Sequence, residues 1–289
     1  MSCATLHTLP VPVRFASGGS LWSSKPLAPL QTSCTTCHLR ALCLPCGLDA
    51  TDVTRLDSLM FGRRKVKAGQ TLFHQGQGFQ FIYAVRNGTF KSSLMLADGR
   101  EQVSGFHIAG EMMGLDGVAH GKHASSATAL EDAEICAIPY EHLTEMNASN
   151  SMQHAVSRLM SQEIVREHSL MLLLGSMNAD ERLAAFLLNL SQRLKALGYS
   201  AREFHLRMTR AEIGSYLGMT LETVSRTFSS FQQRGLLEVD KRDIRIVDLD
   251  GLRRALDTRP HRRQLAVSRP LALPSGGRQG FDPGRLAGR

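Results

Sequence analysis

Four cysteines crowd into thirteen residues near the start of the chain, Cys34, Cys37, Cys43 and Cys46 in the run CTTCHLRALCLPC. A fifth, Cys136, stands alone about ninety residues later. Clustered thiols plus one distant thiol are the pattern of a metal centre that ties two parts of a fold together. The spacing C-x2-C-x5-C-x2-C differs from a zinc ribbon, whose two C-x2-C knuckles stand roughly 15–20 residues apart. Three close thiolates with a remote fourth suit an iron–sulfur cluster, which takes four thiolate ligands. Soft sulfur donors favour such clusters or zinc over hard cations. Five candidates compete for four places, and Cys3 lies too far out in the N-terminal stretch to be a first choice. Structural zinc and reversible disulfides stand as alternatives. A catalytic CxxC pair is a poorer fit, because no βαβ pattern surrounds it.

Composition bounds the rest. At 289 residues the chain can hold two domains with ordinary cores. No apolar run approaches the ~18 residues of a membrane span, and the proline- and glycine-broken N-terminus lacks the apolar core of a secretory signal. The expected location is cytoplasmic, where thiols stay reduced and a cysteine cluster is more often metal-binding or catalytic than disulfide-forming. The formal net charge is +8, but it sits in the tails. Residues 1–33 carry +2 and residues 259–289 carry +6, which leaves 34–258 neutral. A DNA-binding claim must therefore rest on local pattern. Both tails are rich in Pro, Gly, Ser and Arg and read as disordered. The C-terminal one either adds non-specific phosphate affinity or is a solvated extension.

From about residue 55 to 146, short apolar stretches alternate with turns at Gly69, Gly76, Gly88, Gly99, Gly105 and Gly110. This spacing predicts an antiparallel barrel or jelly roll. A helix is expected over roughly 150–175, with Val156, Met160, Leu170 and Leu174 on one stripe. Its length exceeds what one small barrel needs, which points to a dimer seam. Glu163 and Glu167 lie close to that stripe. Either they face solvent, or their like charges oppose pairing across a symmetric seam.

A second amphipathic helix is expected over 178–196, capped by Asn178. In RMTRAEIGSYLGMTLETVSRTFSSFQQRG, Thr209 and Glu212 form a capping box, Gly218 provides a tight turn, and Thr220 caps a second helix. Val224, Phe228 and Phe231 face inward, while Glu222, Ser225 and Arg226 lie on other faces. LLEVD and DIRIVD follow as a two-stranded wing. An exposed glutamate can accept from cytosine N4, and an arginine can donate twice to guanine O6 and N7. The competing reading of Glu222 and Arg226 is an i, i+4 surface pair. Thr209 and Thr220, the two caps, complete the expected DNA-contacting set with Glu222, Ser225 and Arg226.

Together these motifs (CTTCHLRALC, GFHIAGEMMG, ICAIPYEHL, RLMSQEI, NADERLAAFLLNLSQR, EFHLRMTRAEIGSYLGMTLETVSR) resemble the FNR branch of the CRP/FNR superfamily, the oxygen-responsive bacterial transcription regulators. The resemblance runs from about Cys34 to Leu256. It implies an α+β fold: an N-terminal jelly-roll β-barrel of the cyclic-nucleotide-binding type, a long dimerisation helix and a C-terminal winged helix-turn-helix. The division expected is a disordered extension (1–33), a cluster-binding segment with a β-roll sensor (34–148), a dimerisation helix (149–176), a DNA-binding domain (177–258) and a basic disordered tail (259–289).

The resemblance also implies a ligand set for a [4Fe–4S] cluster, Cys34, Cys37, Cys43 and Cys136. Cys46 stands where the family need not have a cysteine and is the alternative third ligand. It implies a dimer switch at Ile164 and Glu167, and base contacts from Glu222, Ser225 and Arg226. The implied function is that of a non-enzymatic oxygen-sensing regulator. Its cluster, formed without oxygen, promotes homodimerisation and binding to a palindromic TTGAT-N4-ATCAA-type site, with RNA polymerase as partner, and oxygen switches binding off.

Relatives of this fold bind cyclic AMP through Gly-Glu and Arg-Ser. Here Gly110 and Glu111 are retained, but Ser125 and Ser126 occupy the Arg-Ser place, so no cyclic nucleotide is expected. The competing functions are a CRP-like regulator answering another effector or thiol redox state, haem sensing through one of His38, His107, His120 and His123, and, in a different class, an iron–sulfur redox protein. The last lacks a dinucleotide fingerprint and leaves the helix-turn-helix without a purpose.

Overall fold

A computed structural model describes residues 33–58, 62–146 and 149–257. The tails expected at 1–33 and 259–289 lie outside the described residues, apart from Ser33.

The thiol run opens the fold as a chain of turns and leads into helix α1 (Ala50–Ser58), which the sequence reading did not anticipate. Asp49 starts it by accepting from the Asp52 amide at 2.8 Å, and Val53 and Leu56 are its buried apolar side. Eight strands follow: β1 (Gly62–Val66), β2 (Thr71–Phe73), β3 (Phe81–Asn87), β4 (Phe90–Met95), β5 (Glu101–His107), β6 (Met112–Met113), β7 (Ser126–Ala129) and β8 (Ala133–Pro139). They form two antiparallel sheets, β1-β8-β3-β6 and β2-β7-β4-β5. The expected barrel is thus a two-sheet jelly roll. Gly88 turns β3 into β4 with φ 91, and a Cβ there would stand 2.6 Å from the Ala133 Cβ, so the position requires glycine. Gly105 is not a turn. It lies in β5 opposite Ser92, beside an irregularity in the β4–β5 register, where a side chain would crowd the His107 ring.

Three cores result. Between the sheets lie Phe73, Tyr83, Val85, Phe90 and Ile135. A second core covers the outer face of the first sheet, where Ile82, Ala84 and Ile138 meet Leu44 of the thiol run, Val53 and Leu56 of α1, and Met152, Ala155 and Leu159 of the next long helix. Strand residues alternate between faces, so β3 and β8 are apolar on both sides because they serve two cores. Cys136 falls on the outer face with Ile138, whereas Ile135 and Ala137 point between the sheets.

After the short α2 (Tyr140–Glu145), α3 (Asn150–Ser176) runs 27 residues from a Ser149 cap, about 40 Å. Helix α4 (Ala179–Ala196) begins with a capping box between Asn178 and Glu181. Then come β9 (Glu203–His205), α5 (Arg210–Leu217), α6 (Leu221–Gln233), β10 (Leu237–Asp240), β11 (Asp243–Ile246) and α7 (Leu249–Arg254). The wing has three strands, β10-β11-β9, rather than two. The third core fills this domain and takes in Val103 and Phe106 of β5, so the C-terminal domain is docked on the roll.

Candidate metal centre, dimer seam and DNA-reading helix

The thiol run has no helix or strand of its own. Its turns are closed by bonds such as Cys37 N to Cys34 O at 3.3 Å and Cys46 N to Cys43 O at 3.0 Å. Buried Leu39 and Leu44 between the cysteines, and Leu48 just after them, pin it down. Its entrance is held by Asp57 at the end of α1. That carboxylate accepts from the Cys34 amide, from the Ser33 hydroxyl at 3.0 Å, and from the amide (3.2 Å) and hydroxyl of Thr35. Burial pushes the Asp57 carboxyl up, but these donors outweigh it and hold it below the ordinary range.

Cys34, Cys43 and Cys136 all pack against the second core. Burial first, then Asp57 and the neighbouring thiols of Cys43, Cys136 and Cys37, push Cys34 up to about 12. Burial likewise pushes Cys43 up to about 12, with Cys136 and Cys37 adding to it. Cys136 is raised by burial, against the pull of Arg86, with Cys37 again adding. The structure thus brings Cys34, Cys37, Cys43 and Cys136 within electrostatic reach of one another. Cys46 is held through its backbone, where its carbonyl accepts from Arg158 Nη2 of α3 at 2.8 Å.

Thiols this reluctant to ionise are poor nucleophiles, whereas a coordinating metal displaces the proton outright. Cys34 and Cys43 therefore fit metal-bound thiolates better than a reactive redox pair. Among the described residues, no three His, Cys, Asp or Glu side chains are close enough to share a single ion. A [4Fe–4S] cluster makes no such demand, since each thiolate binds its own iron at a separate corner.

Besides the Arg158 bond to the Cys46 carbonyl, two links carry this site to α3. The second core is shared by both, and α1 bridges them, because Asp52 accepts from the hydroxyls of Ser149 and Ser151 at the start of α3. Further along α3, Met160, Ile164 and Met171 are exposed, with Ile164 at 56 %. Glu167 falls on the same stripe. The stripe expected from sequence is shifted: Met160 is exposed, but Val156, Leu170 and Leu174 are half-buried within the chain. Burial raises the Glu163 carboxyl despite Arg166 at 3.3 Å. Glu167 is raised by burial and then by Glu163.

Arg166 also donates to His107 Nδ1 at 3.2 Å, and the other ring nitrogen bonds the Ser92 hydroxyl at 2.8 Å. Burial, with Arg166 beside it, holds His107 down to about 3. His123 is stacked on Phe73 at 3.9 Å and bonded to Asp116 at 3.2 Å. Both histidines have structural partners.

In the C-terminal domain, Thr209 accepts from the Glu212 amide at 3.2 Å while Glu212 Oε2 accepts from the Thr209 amide at 2.8 Å. Gly218 turns with φ 61, and Thr220 accepts from the Thr223 amide at 3.2 Å. Val224, Phe228 and Phe231 are buried; Glu222 and Arg226 are exposed and Ser225 is half-buried. Glu222 is held below its ordinary value first by its backbone amide, then by Thr220, and only last by Arg226. Arg226 itself reaches Thr223 Oγ1 at 3.5 Å. Its guanidinium is not held in an ion pair with Glu222.

The positions that bind a cyclic nucleotide in other chains have different work here. Glu111 pairs with Arg193 of α4 at 2.8 and 2.6 Å. Asp116 accepts from the amide and hydroxyl of Ser125, both at 2.8 Å, and so places a carboxylate beside the expected phosphate place.

Sequence reasoning missed Asp52, Asp57, Arg86 and Arg158. The one available signal was Asp49 ahead of Val53 and Leu56, which marks α1. No helix among the described residues is long and apolar enough to cross a membrane.

Residues 63–150 match the family Cyclic nucleotide-binding domain, and residues 181–255 match the Crp-like helix-turn-helix domain. Among curated proteins, the chain is 46% identical to the transcriptional regulatory protein btr of Bordetella pertussis, over 80% of this chain and 96% of that one. It is 42% identical to the fumarate and nitrate reduction regulatory protein of Escherichia coli, over 76% of this chain and 88% of that one. Among solved structures, FixK2 from Bradyrhizobium japonicum superposes with a TM-score of 0.64 at 29% identity, covering 68% of this chain and 98% of that one. The two curated relatives are regulatory proteins by name.

Proposed function

The chain belongs to the CRP/FNR family of DNA-binding transcription regulators, and from that premise we propose that it senses oxygen through a [4Fe–4S] cluster held by Cys34, Cys37, Cys43 and Cys136. The observation that carries this reading is that Cys34 and Cys43 of the thiol run pack with Cys136 of β8 on a core shared with α3, while Cys37 is bonded by Arg86 of the neighbouring strand β3. Cys46 is the surplus thiol. When bound, such a cluster would supply an oxygen-sensitive centre that persists only without oxygen.

The chain's own residues do the rest. Residues 34–148 form the sensor, with Asp57 and Leu44 ordering the thiol run against β8. Residues 149–176 form the dimerisation helix. Its first turns share the sensor's core and are tied to α1 through Asp52, so ordering the thiol run favours one placement of α3. Met160, Ile164 and Met171 bury against a second copy, and ionised Glu167 opposes that association until the sensor biases it. Residues 177–258 read DNA. A two-fold dimer presents two α6 helices to half-sites about one helical turn apart, with the α6 N-terminus in the major groove. Glu222 accepts from cytosine, Arg226 donates to guanine, and Ser225, Thr209 and Thr220 contact the backbone or bases. A palindrome of the TTGAT-N4-ATCAA type and contact with RNA polymerase go with this reading, as does indifference to cyclic nucleotides. Glu111 is engaged by Arg193, and Asp116 would repel a phosphate.

The test is protein purified and reconstituted without oxygen, assayed for iron, sulfide and retardation of a palindromic duplex before and after air. The expected result is about four iron and four sulfide per chain, with retardation lost on exposure. A colourless protein, or retardation indifferent to air, would reject the reading.

A further inference from the structure

The sensor side of the cysteine site carries a cation that the fold has built in. The β3–β8 register runs from Val85 opposite Ile135 to Asn87 opposite Glu134, which leaves Arg86 as the extra residue of a bulge. Bulges re-aim a side chain out of the regular pleat. Here the guanidinium points at the thiol run: Nη1 donates to Cys37 Sγ at 3.5 Å, and Nε pairs with Glu134 at 3.5 Å. Both side chains are largely withdrawn from solvent, at 18% and 25% exposure. Glu134 lies two residues before Cys136 on the same face of β8, so one guanidinium stands between a thiol of the N-terminal run and the thiol of the roll.

We infer that Arg86 is a positioning residue of the metal centre, its guanidinium fixed by the bulge and by Glu134 so that it holds Cys37 against Cys136 and offsets the charge of the converging thiolates. The inference rests on the cluster reading above. Four thiolates brought together at a half-buried place repel one another, and a fixed cation with donors aimed at sulfur relieves that repulsion. Hydrogen bonds to the sulfurs are among the levers by which a protein tunes such a group. A lysine keeps the charge but loses the planar fork that reaches a sulfur and a carboxylate at once.

The experiment uses the full chain, reconstituted anaerobically with ferrous iron and sulfide. Iron content, visible circular dichroism and the rate of iron transfer to excess ferrous chelator are compared across variants. Arg86→Gln is expected to release iron about tenfold faster than the unaltered protein, with altered visible dichroism. Arg86→Lys should fall between them, and Glu134→Gln should show a smaller change in the same direction. Failure of Arg86→Gln to load, with an unchanged unfolding midpoint of the apoprotein, supports the inference in its strongest form. Loading and release at the unaltered rate would overturn it. Should Arg86→Gln not fold, Glu134→Gln decides, and equality with the unaltered chain overturns the inference. If the unaltered chain itself takes up no iron and sulfide, the cluster reading falls and takes this inference with it, an outcome distinct from a loaded protein indifferent to Arg86.

Discussion

The helix-turn-helix caps its own helices with side-chain bonds that span three residues, whereas in the cysteine run the side chains that hold the backbone and thiols come from far along the chain. In the first, Thr209 meets Glu212 and Thr220 meets Thr223. In the second, Asp57 holds Cys34 and Thr35, Arg86 reaches back to Cys37, and Arg158 reaches the Cys46 carbonyl. A segment whose helices are closed by local caps leans less on remote partners, although Ser215 of α5 also bonds Gln102 and Val103 of β5. A segment organised by remote partners is ordered only as well as those partners hold it, and a bound group can therefore decide its state. One region suits reading and the other suits sensing.

The largest effect should come from cutting the remote set. Cys136→Ser removes the β8 thiol that packs on the same core as Cys34 and Cys43, and anaerobic iron uptake and specific DNA retardation are expected to vanish together. Cys46→Ser removes a thiol outside the mutually interacting set, and both are expected to persist. If Cys46→Ser fails and Cys43→Ser survives, the third ligand is Cys46 and the assignment is wrong. Next in size is Arg226→Ala, which should cost about 1–3 kcal/mol at one guanine-containing position and leave the iron content untouched. Equal losses on every duplex sequence would make Arg226 a phosphate contact.

Smaller effects sharpen the contrast between the two ways of holding a segment. Thr209→Ala should cost about 1 kcal/mol of unfolding free energy, measured by denaturant, with iron uptake unchanged. Asp57→Ala should instead slow anaerobic iron uptake while leaving specific DNA retardation by the loaded fraction intact. A reversed pattern would mean that the two regions are not independent in the way their bonding implies.

This contrast also explains what was legible in the sequence. Caps, turn glycines and the stripe of Val224, Phe228 and Phe231 are local signals, and the helix-turn-helix was placed from them nearly residue by residue. The cysteine spacing points to a candidate site and its donor chemistry, but not to the hold of Asp57 or Arg86, because those contacts span more than twenty residues and leave no periodic trace. The bulge that aims Arg86 is a register event between two strands, invisible along either one. The α3 stripe departs from its expected place for a related reason. Val156 and Leu174 have helical spacing suited to a seam, but each packs into a core of its own chain. Periodicity reports that a face is apolar without saying which neighbour covers it.

The smallest predicted effect concerns the seam, where the two modes of control meet. Glu163 and Glu167 are both raised above the ordinary carboxyl value, Glu163 chiefly by burial and Glu167 by burial and then by Glu163. A raised carboxyl is ionised at neutral pH at some cost, and it takes up a proton earlier than its neighbours as the pH falls. Across a two-fold seam, Glu167 would face its own copy, so each proton gained removes repulsion, and association of the metal-free chain should strengthen as pH drops toward the carboxyl range. Glu167→Ala should raise aerobic dimerisation at neutral pH by a few-fold, the scale of a surface charge pair at ~0.2–1 kcal/mol, and flatten the pH slope. Sedimentation across that range checks both. A variant with the same dimer fraction and the same slope as the parent would place Glu167 in solvent, and the sensor would then have to act through the orientation of α3 alone.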